Sequence, residues 1–420
     1  MQTRTFFKAS LTLTVAVVGF TASMPAVAAS LYTLTDLGTL GGSRSEAFGI
    51  NNIGQIVGQA DTDMFFDFGS PVSHAFLYNG GPLKDLGTLG GTFSTAQDIN
   101  KQGQVVGYSD TASGFTHGFR TAANKAINPT TDDLGTLGGF SSLAYGINNQ
   151  GQVVGNSFLA NGDTHAFRTA ANSPINPKTD DLGTLGGNFS TAQGINNQGQ
   201  VVGNSSLASG GSHAFRTAAN SPINPNTDDL GTLGGNISLA YGINNQGQVV
   251  GNSSLANGDT HAFRTAANSP INPKTDDLGT LGGNFSTAAS INDQGQVVRL
   301  SSLANGDFHP FLWSQSTGIK DLNSLIANSD SSSSVLETAN YIDDQGQIVG
   351  SGVLDGQVHA FLLTPEPLPV PEPSSALGTL ALSALGVGSL LKRQLKKQKA
   401  TSTNISPRPN GTKLSSISNF

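Results

Sequence analysis

The 420-residue chain contains no cysteine and only 12% charged residues. Disulfide bonds therefore cannot stabilise it, and no cysteine nucleophile is available. The sequence also lacks the Gly-x-Ser-x-Gly and His-Glu-x-x-His patterns of common hydrolases and metalloproteases. No segment of the central region shows the apolar period of an amphipathic helix. We therefore expect a fold whose stability comes from packed β-strands.

Charge is distributed unevenly along the chain. All 28 acidic residues lie between Leu31 and Pro373, whereas nine of the 21 basic residues lie in the terminal segments. The central region is therefore strongly acidic, which argues against binding to nucleic-acid phosphates or to anionic lipid. It is compatible with cation-bridged association or with neutral glycans.

Self-similarity at a fixed period dominates the central region. The Asp that opens Asp-Leu-Gly-Thr-Leu recurs, mostly every 48 residues, at Asp36, Asp85, Asp133, Asp181, Asp229 and Asp277, and in a degenerate copy at Asp321. The Ile of an Ile-Asn-x-x-Gly turn recurs at Ile50, Ile99, Ile147, Ile195, Ile243, Ile291 and Ile342. All seven histidines follow the same order: His74, His117, His165, His213, His261, His309 and His359. Seven copies of each marker indicate seven structural units.

Each unit contains four short runs with strand character. In the third unit these are residues 144–148, 152–157, 165–169 and 181–185, separated by turn signals such as Asn149-Gln150-Gly151. Four strands in about 48 residues leave no room for a helix. We take Gly186-Gly187 to end the fourth strand.

The strands require cover on both faces. Val153 and Val154 are adjacent and must point to opposite sides of their sheet. A propeller blade between two neighbours meets this need, and its size matches the repeat. The last unit lacks its fourth strand, while residues 31–40 form a strand without a unit. We therefore predict an all-β, seven-bladed β-propeller in which the N-terminal strand closes the last blade. An open β-solenoid, the alternative, does not explain this offset.

The motif identifies a resemblance to the HAF-repeat proteins, a bacterial exported family named for His-Ala-Phe. Five copies carry His-Ala-Phe itself, and the others read His117-Gly118-Phe119 and His309-Pro310-Phe311. The resemblance covers residues 31–363. It implies export but no particular activity.

Residues 1–28 have the features of a secretory signal peptide. Arg4 and Lys8 precede an apolar stretch over residues 11–20, and Ala26-Val27-Ala28 matches a cleavage site. The apolar stretch is too short for a first transmembrane helix, which is the alternative. We therefore assign residues 29–363 to the repeat domain of an exported protein.

A proline-rich linker is predicted over residues 364–373. Pro371-Glu372-Pro373, a hydrophobic helix over 374–391 and a basic run ending at Lys399 resemble, in this order, the PEP-CTERM sorting signal. This resemblance implies an exosortase-type partner and passage through the secretion machinery. It also implies transient anchoring in the inner membrane by the helix, then a place on the cell surface or outside the cell. A plain membrane anchor is the alternative. The tail over residues 400–420 is predicted to be disordered.

The histidines invite a metal interpretation that the repeat argues against. One His per blade spreads them around a ring, whereas metal sites need several ligands together. We predict that each His is structural and bonds between strands, with a Ser or Thr hydroxyl as its partner. No cofactor is predicted. Calcium at the Asn-rich turns, which carry Asp293 and Asp344 in later copies, is the alternative.

Two classes of function are compatible with these features. The first is a non-catalytic surface or matrix protein whose repeated blades act as a scaffold for glycan contact or self-association. The second is a propeller enzyme, a lyase or hydrolase acting on extracellular polysaccharide. Two carboxylates from different blades at one mouth of the ring would favour the enzyme. Any site should lie where the units differ: the insertion at residues 61–71, Arg299, Trp313, or the Ser-rich insertion at 329–334.

Overall fold

The computed structural model describes residues 31–65, 69, 71–327 and 334–367. Contacts group the chain into two compact bodies, Met1–Glu366 and Pro367–Phe420, and the fold below is that of the first. The segments predicted as signal peptide (1–28), sorting motif (Pro371-Glu372-Pro373), hydrophobic helix (374–391) and disordered tail (400–420) lie outside the described residues. Among the residues that the structure describes, no helix is long and apolar enough to span a membrane.

The regular secondary structure of the described residues is β-strand, apart from one short 3₁₀ turn. Its strands are β1 (Tyr32–Asp36), β2 (Gly41–Ile50), β3 (Ile56–Phe65), β4 (Pro71–Tyr78), β5 (Lys84–Asp85), β6 (Gly90–Ile99), β7 (Val105–Thr111), β8 (Thr116–Arg120), β9 (Ser142–Ile147), β10 (Val153–Phe158), β11 (Thr164–Arg168), β12 (Gly186–Ile195), β13 (Val201–Leu207), β14 (Ser212–Arg216), β15 (Gly234–Ile243), β16 (Val249–Leu255), β17 (Thr260–Arg264), β18 (Gly282–Ile291), β19 (Val297–Leu303), β20 (Phe308–Ser314), β21 (Gly318–Asp321), β22 (Val335–Ile342), β23 (Ile348–Leu354) and β24 (Gln357–Pro365). A single 3₁₀ turn, Leu322–Leu325, follows β21. Seven antiparallel units of the same design result, and the third is β9–β10–β11.

The first three predicted strands of the third unit are confirmed to within two residues. The fourth is not a strand in units two to five, where it shrinks to one bridge such as Phe167 to Asp181. The Asp181 carboxylate accepts a hydrogen bond from Gly183 N at 2.8 Å, and Gly183 has a φ of +73°, so the chain turns away. The assignment of Gly186-Gly187 as a strand end is also wrong, because these residues begin β12.

Adjacent valines connect each unit to both neighbours. Val153 packs with Val106 of the preceding unit, whereas Val154 packs with Ala192 and Phe215 of the following one. The Phe of every His-x-Phe motif is fully buried between units. The prediction that both faces of the strands are covered is therefore confirmed, and this burial is the main stabilising term of the fold.

The contact between successive units recurs between the last unit and the first. Ala166 N donates to Ser190 Oγ of the next unit at 2.8 Å, and Ala360 N donates to Ser45 Oγ at the same distance. β1 pairs with β24 in antiparallel register from Tyr32 with Pro365 to Asp36 with Phe361. The predicted pairing of the N-terminal strand with the last unit is confirmed. β24 continues two residues past the expected boundary at Leu363.

Candidate functional site

Two cavities lie where the first strands of the units converge. A narrow one of about 150 Å³ is lined by the ends of the first strands of all seven units, which read Ile-Asn in six units and Ile-Asp in the seventh. A wider one of about 450 Å³ lies beside it and extends toward the beginnings of these strands, as far as Phe285. Both cavities are lined by Asp98, Tyr341 and three of the repeated isoleucines, so these residues form the boundary between them.

The narrow cavity is surrounded by turns that hydrogen bonds join from one unit to the next. Asn148 Oδ1 accepts hydrogen bonds from Gln150 N and Gln152 N of its own turn, and its Nδ2 donates to the Asn196 carbonyl of the next unit. The first six units repeat the link to the following unit, at Asn51, Asn100, Asn148, Asn196, Asn244 and Asn292. The amide is therefore needed both as acceptor and as donor.

The seventh turn carries Asp343 where the others carry Asn. Its Oδ1 caps the turn by accepting from Gln345 N and Gln347 N, but Oδ2 is buried without a hydrogen-bond partner. Burial raises the pKa of this carboxyl to about 6, despite the turn N–H groups that favour its charged form. The seventh unit instead reaches the first through Asn52 Nδ2, which donates to Asp344 Oδ2 at 2.6 Å.

Carboxylates from different units do meet at this mouth. Asp344 Oδ1 accepts from Asp293 N, while both Asp293 oxygens accept hydrogen bonds from Asn245. These oxygens thus join one turn to the next. Within residues 31–327 and 334–367, apart from the gaps near residue 68, no group of three or more His, Asp or Glu side chains is placed to hold a metal ion.

Asp98 and Tyr341 occupy a position that is Gly in four other units. The Asp98 carboxylate accepts hydrogen bonds from Ile99 N at 2.8 Å and Ile147 N at 2.9 Å. Burial nevertheless raises the pKa of Asp98 to about 7, within the range useful for proton transfer. The Asp98 charge and burial raise the pKa of Tyr341 well above its ordinary value, so this phenol stays protonated.

The wide cavity combines aromatic rings, amides and one cation. Its walls include Tyr145, Tyr241 and Phe285, the amides Gln97, Gln193 and Asn340, and Arg299. Arg299 stands on β19, at the position that is Gly in the six other units. Its Nη1 donates to Asn340 Oδ1 at 2.9 Å. Of the differing positions that the sequence analysis singled out and that the structure describes, Arg299 is the one that lines the wide cavity.

All seven histidines pair with the Asp that opens the fourth segment, which reads Asp-Leu-Gly in six copies and Asp-Leu-Asn at Asp321. His165 Nδ1 lies 2.9 Å from Asp181 Oδ1, and His359 of the last unit pairs across the chain with Asp36 at 2.8 Å. The expected Ser or Thr partner is therefore wrong. A carboxylate replaces the hydroxyl because the fourth segment brings Asp beside the third strand. The hydrogen bond to Asp181 raises the pKa of His165 against the effect of burial.

The remaining predicted candidates have local roles. Trp313 is covered by the Arg264 guanidinium, 4.6 Å from its ring centroid. In the insertion at residues 61–71, Asp61 is buried and accepts from Ser73 Oγ, whereas Phe65 is exposed. Asp67, Phe66 and Phe68 of this insertion, and most of the insertion at 329–334, lie outside the described residues.

Sequence reasoning missed Asp98 and Tyr341. Both directly precede the repeated Ile of their unit, where Gly49, Gly146, Gly194 and Gly242 stand elsewhere. A side chain that replaces a repeated glycine on the innermost strand was the available signal.

No protein-family model matches the chain, and no curated protein is significantly similar to it. Among solved structures, a lectin from Burkholderia pseudomallei aligns over 79% of this chain and 97% of its own, with 12% identity and a TM-score of 0.38. A Trypanosoma rangeli sialidase (12%, 0.35) and a prolyl endopeptidase (9%, 0.36) each align over 77% of this chain. The chain spans about half the length of these two proteins, 53% and 54%. Scores this low carry no argument about activity.

Proposed function

We propose that the seven units are the blades of a closed β-propeller, and that this propeller is an exported, non-catalytic binding scaffold. Closure is supported by the repetition of the inter-unit contacts between units seven and one. Val349 of the last unit packs with Ala47 and Phe76 of the first, as Val154 packs with the unit after it. A closed ring leaves no exposed sheet edge.

The wide cavity is the observation that carries the binding function. Its volume of about 450 Å³ falls in the range of small-molecule sites, roughly 300–1,000 Å³. Aromatic rings and amides at its walls are groups that stack on sugar faces and bond to hydroxyls. Burial raises the pKa of Tyr145 to about 12, so its hydroxyl remains a donor at neutral pH. We therefore favour a glycan as the ligand.

A glycan array with the exported protein tests this function. The double variant Tyr145→Gln/Tyr241→Gln should weaken glycan binding at least tenfold, because each substitution replaces an aromatic ring, which can stack on a sugar, with an amide. The fold should tolerate it, since Gln97 and Gln193 occupy the equivalent positions in units two and four. Phe140→Ser is the matched control, as Phe140 is exposed and does not line the cavity. Binding that depends on Phe140 but not on the tyrosines would place the site elsewhere.

The cellular localisation of the protein is also a proposal. The HAF-repeat resemblance, the N-terminal signal and the PEP-CTERM-like C-terminus together support export, processing by an exosortase-type enzyme and display at the cell surface. Self-association through the nearly identical third to fifth units is a further proposed role of the scaffold.

A specific observation favours the enzyme as the second candidate. Asp98, with a pKa of about 7, lines the same cavity as Arg299 and would be able to donate a proton to a bound polysaccharide. A turnover screen of the exported protein with neutral and acidic polysaccharides tests this. Turnover that is lost in Asp98→Asn would establish the enzyme. Binding without turnover would leave the scaffold function.

A further inference from the structure

Resting on the proposed glycan function, we infer that Arg299 binds the carboxylate of an acidic sugar in the wide cavity. The ligand class is therefore a uronic-acid-type residue or another monosaccharide unit with one carboxylate, at the end of a glycan or within it.

Arg299 has unused hydrogen-bonding capacity. Guanidinium has five N–H donors in a planar fork, and one of these reaches Asn340 Oδ1. Within the described part of the chain Arg299 forms no ion pair, although its side chain is largely buried. Burial lowers its pKa, but arginine remains protonated at neutral pH. A buried cation without a carboxylate partner is costly, and an anionic ligand would relieve that cost.

The nearby carboxylates are engaged elsewhere. Glu46, whose charge acts on Arg299, is paired with Arg44. Asp98 lies at the boundary of the cavity and directs its two oxygens to Ile99 N and Ile147 N. The carboxylate of a ligand would thus meet the guanidinium N–H groups of Arg299 that Asn340 leaves unused, and a planar guanidinium suits bidentate binding.

The rest of the cavity indicates a sugar rather than a simple organic acid. Tyr241 lines the same cavity as Arg299, and burial raises its pKa, so its phenol is a donor at neutral pH. Gln193, Asn340 and Tyr145 add further donors and acceptors on the walls. A polyhydroxylated ring with one carboxylate would use both sets of groups.

Arg299→Gly is the central test, because six units fold with Gly at this position. Isothermal titration calorimetry would use a trisaccharide ending in glucuronic acid, the matched trisaccharide ending in glucose, and cyclohexanecarboxylate. Arg299→Gln keeps the length of the side chain without its charge. Arg216→Ala is the control, since Arg216 donates to Ser269 O and lies outside the cavity lining. Thermal unfolding of each variant confirms the fold.

We expect the acidic trisaccharide to bind wild type best and to lose about 10- to 100-fold in affinity in both Arg299 variants, as for a charged hydrogen bond. Arg216→Ala should bind as wild type does. Equal affinity for the two trisaccharides, or no loss in Arg299→Gly, would overturn the carboxylate site while glycan binding stands. Cyclohexanecarboxylate binding as tightly as the acidic trisaccharide would overturn the sugar class. Failure of every glycan on the array would instead remove the proposed function itself.

Discussion

Each His–Asp pair ties the third strand of a unit to the segment that follows it. The side chains of His165 and Asp181 are 17% and 32% exposed, so solvent screens the pair only in part. Burial opposes ionisation of Asp181, but the hydrogen bonds from His165 and Gly183 N outweigh it and lower the pKa. The pair therefore stabilises its unit modestly and locally, and each of the seven units has one such pair.

His165→Ala, His213→Ala and His261→Ala should each cost about 1–3 kcal/mol of unfolding free energy, because a bonded partner loses its donor. Their surroundings are nearly identical, so the costs should agree within about 0.5 kcal/mol and add in the triple mutant. Because the folded pKa of His165 is raised above 6.5, its contribution is complete below that pH and is lost as the pH rises through the folded pKa. Urea unfolding of the three single mutants and the triple mutant measures these costs and their pH dependence. The same measurement with EDTA tests whether a metal ion is bound. Sensitivity to the chelator that any single mutation abolishes would make the histidines metal ligands.

Asp343→Asn should stabilise the protein. It would supply the amide donor that six other turns possess and remove a buried carboxyl with an orphan oxygen. Since the folded pKa of about 6 exceeds the unfolded value of 3.8, the carboxyl favours folding below about pH 4, and this benefit is lost as the pH rises through about 6. The gain should therefore be about 1–3 kcal/mol above pH 6 and smaller at pH 4.

Urea unfolding from pH 4 to pH 8 measures this gain. Asp344→Asn is the matched control, because Asn stands at its position in several units while both oxygens of the half-buried Asp344 carboxylate have hydrogen-bond partners. If Asp343→Asn is no more stable than wild type at pH 8, the linked turns around the narrow cavity do not need an amide in the seventh unit.

At the scale of the strand, β1 joins the two ends of the folded body, because this N-terminal strand pairs with β24 of the last unit. Tyr32 is 2% exposed and packs with Leu322, Leu336 and Leu363. Deleting residues 29–41 should lower the stability of the whole domain, because the last unit would lose a strand and Asp36, the partner of His359. Tyr32→Ala should cost about 3–5 kcal/mol, the range for a large buried aromatic.

Thermal unfolding of the deletion variant and of Tyr32→Ala measures both effects. Thr33→Ala on the same strand is the control, since its side chain is exposed. An unchanged melting temperature on deletion would show that β1 is not needed to complete the last unit.

The sequence allowed the first three strands of each unit to be predicted, because paired valines and Asn-Gly-type turns mark them directly. The sequence could not show that the fourth segment is a turn and not a strand. Asp181-Leu182-Gly183 has the apolar character of a strand, whereas its Asx turn depends on backbone geometry. The His partners were missed for a related reason. The spacing is 16 residues from His165 to Asp181, but the 323-residue separation of His359 and Asp36 is visible only once the ends meet.

At the scale of the whole molecule, the repeats form the fold, whereas the proposed localisation depends on the terminal segments. Replacing Pro371-Glu372-Pro373 with alanines should leave export across the inner membrane intact, because the N-terminal signal is unaltered. Later fate should change, with less protein released or displayed in a host that contains an exosortase. Fractionation of cells and medium measures this. Unchanged release would contradict the sorting assignment.

The junction of β1 and β24 has a mechanical consequence. The two strands are antiparallel, and Glu366 N donates to Leu31 O at 2.8 Å, so the ends of the folded body emerge side by side. A force that pulls these ends apart would load the hydrogen bonds one after another, as in unzipping, rather than together in shear. The junction would therefore resist heat through its buried side chains and yet open under a small tension applied at the two ends.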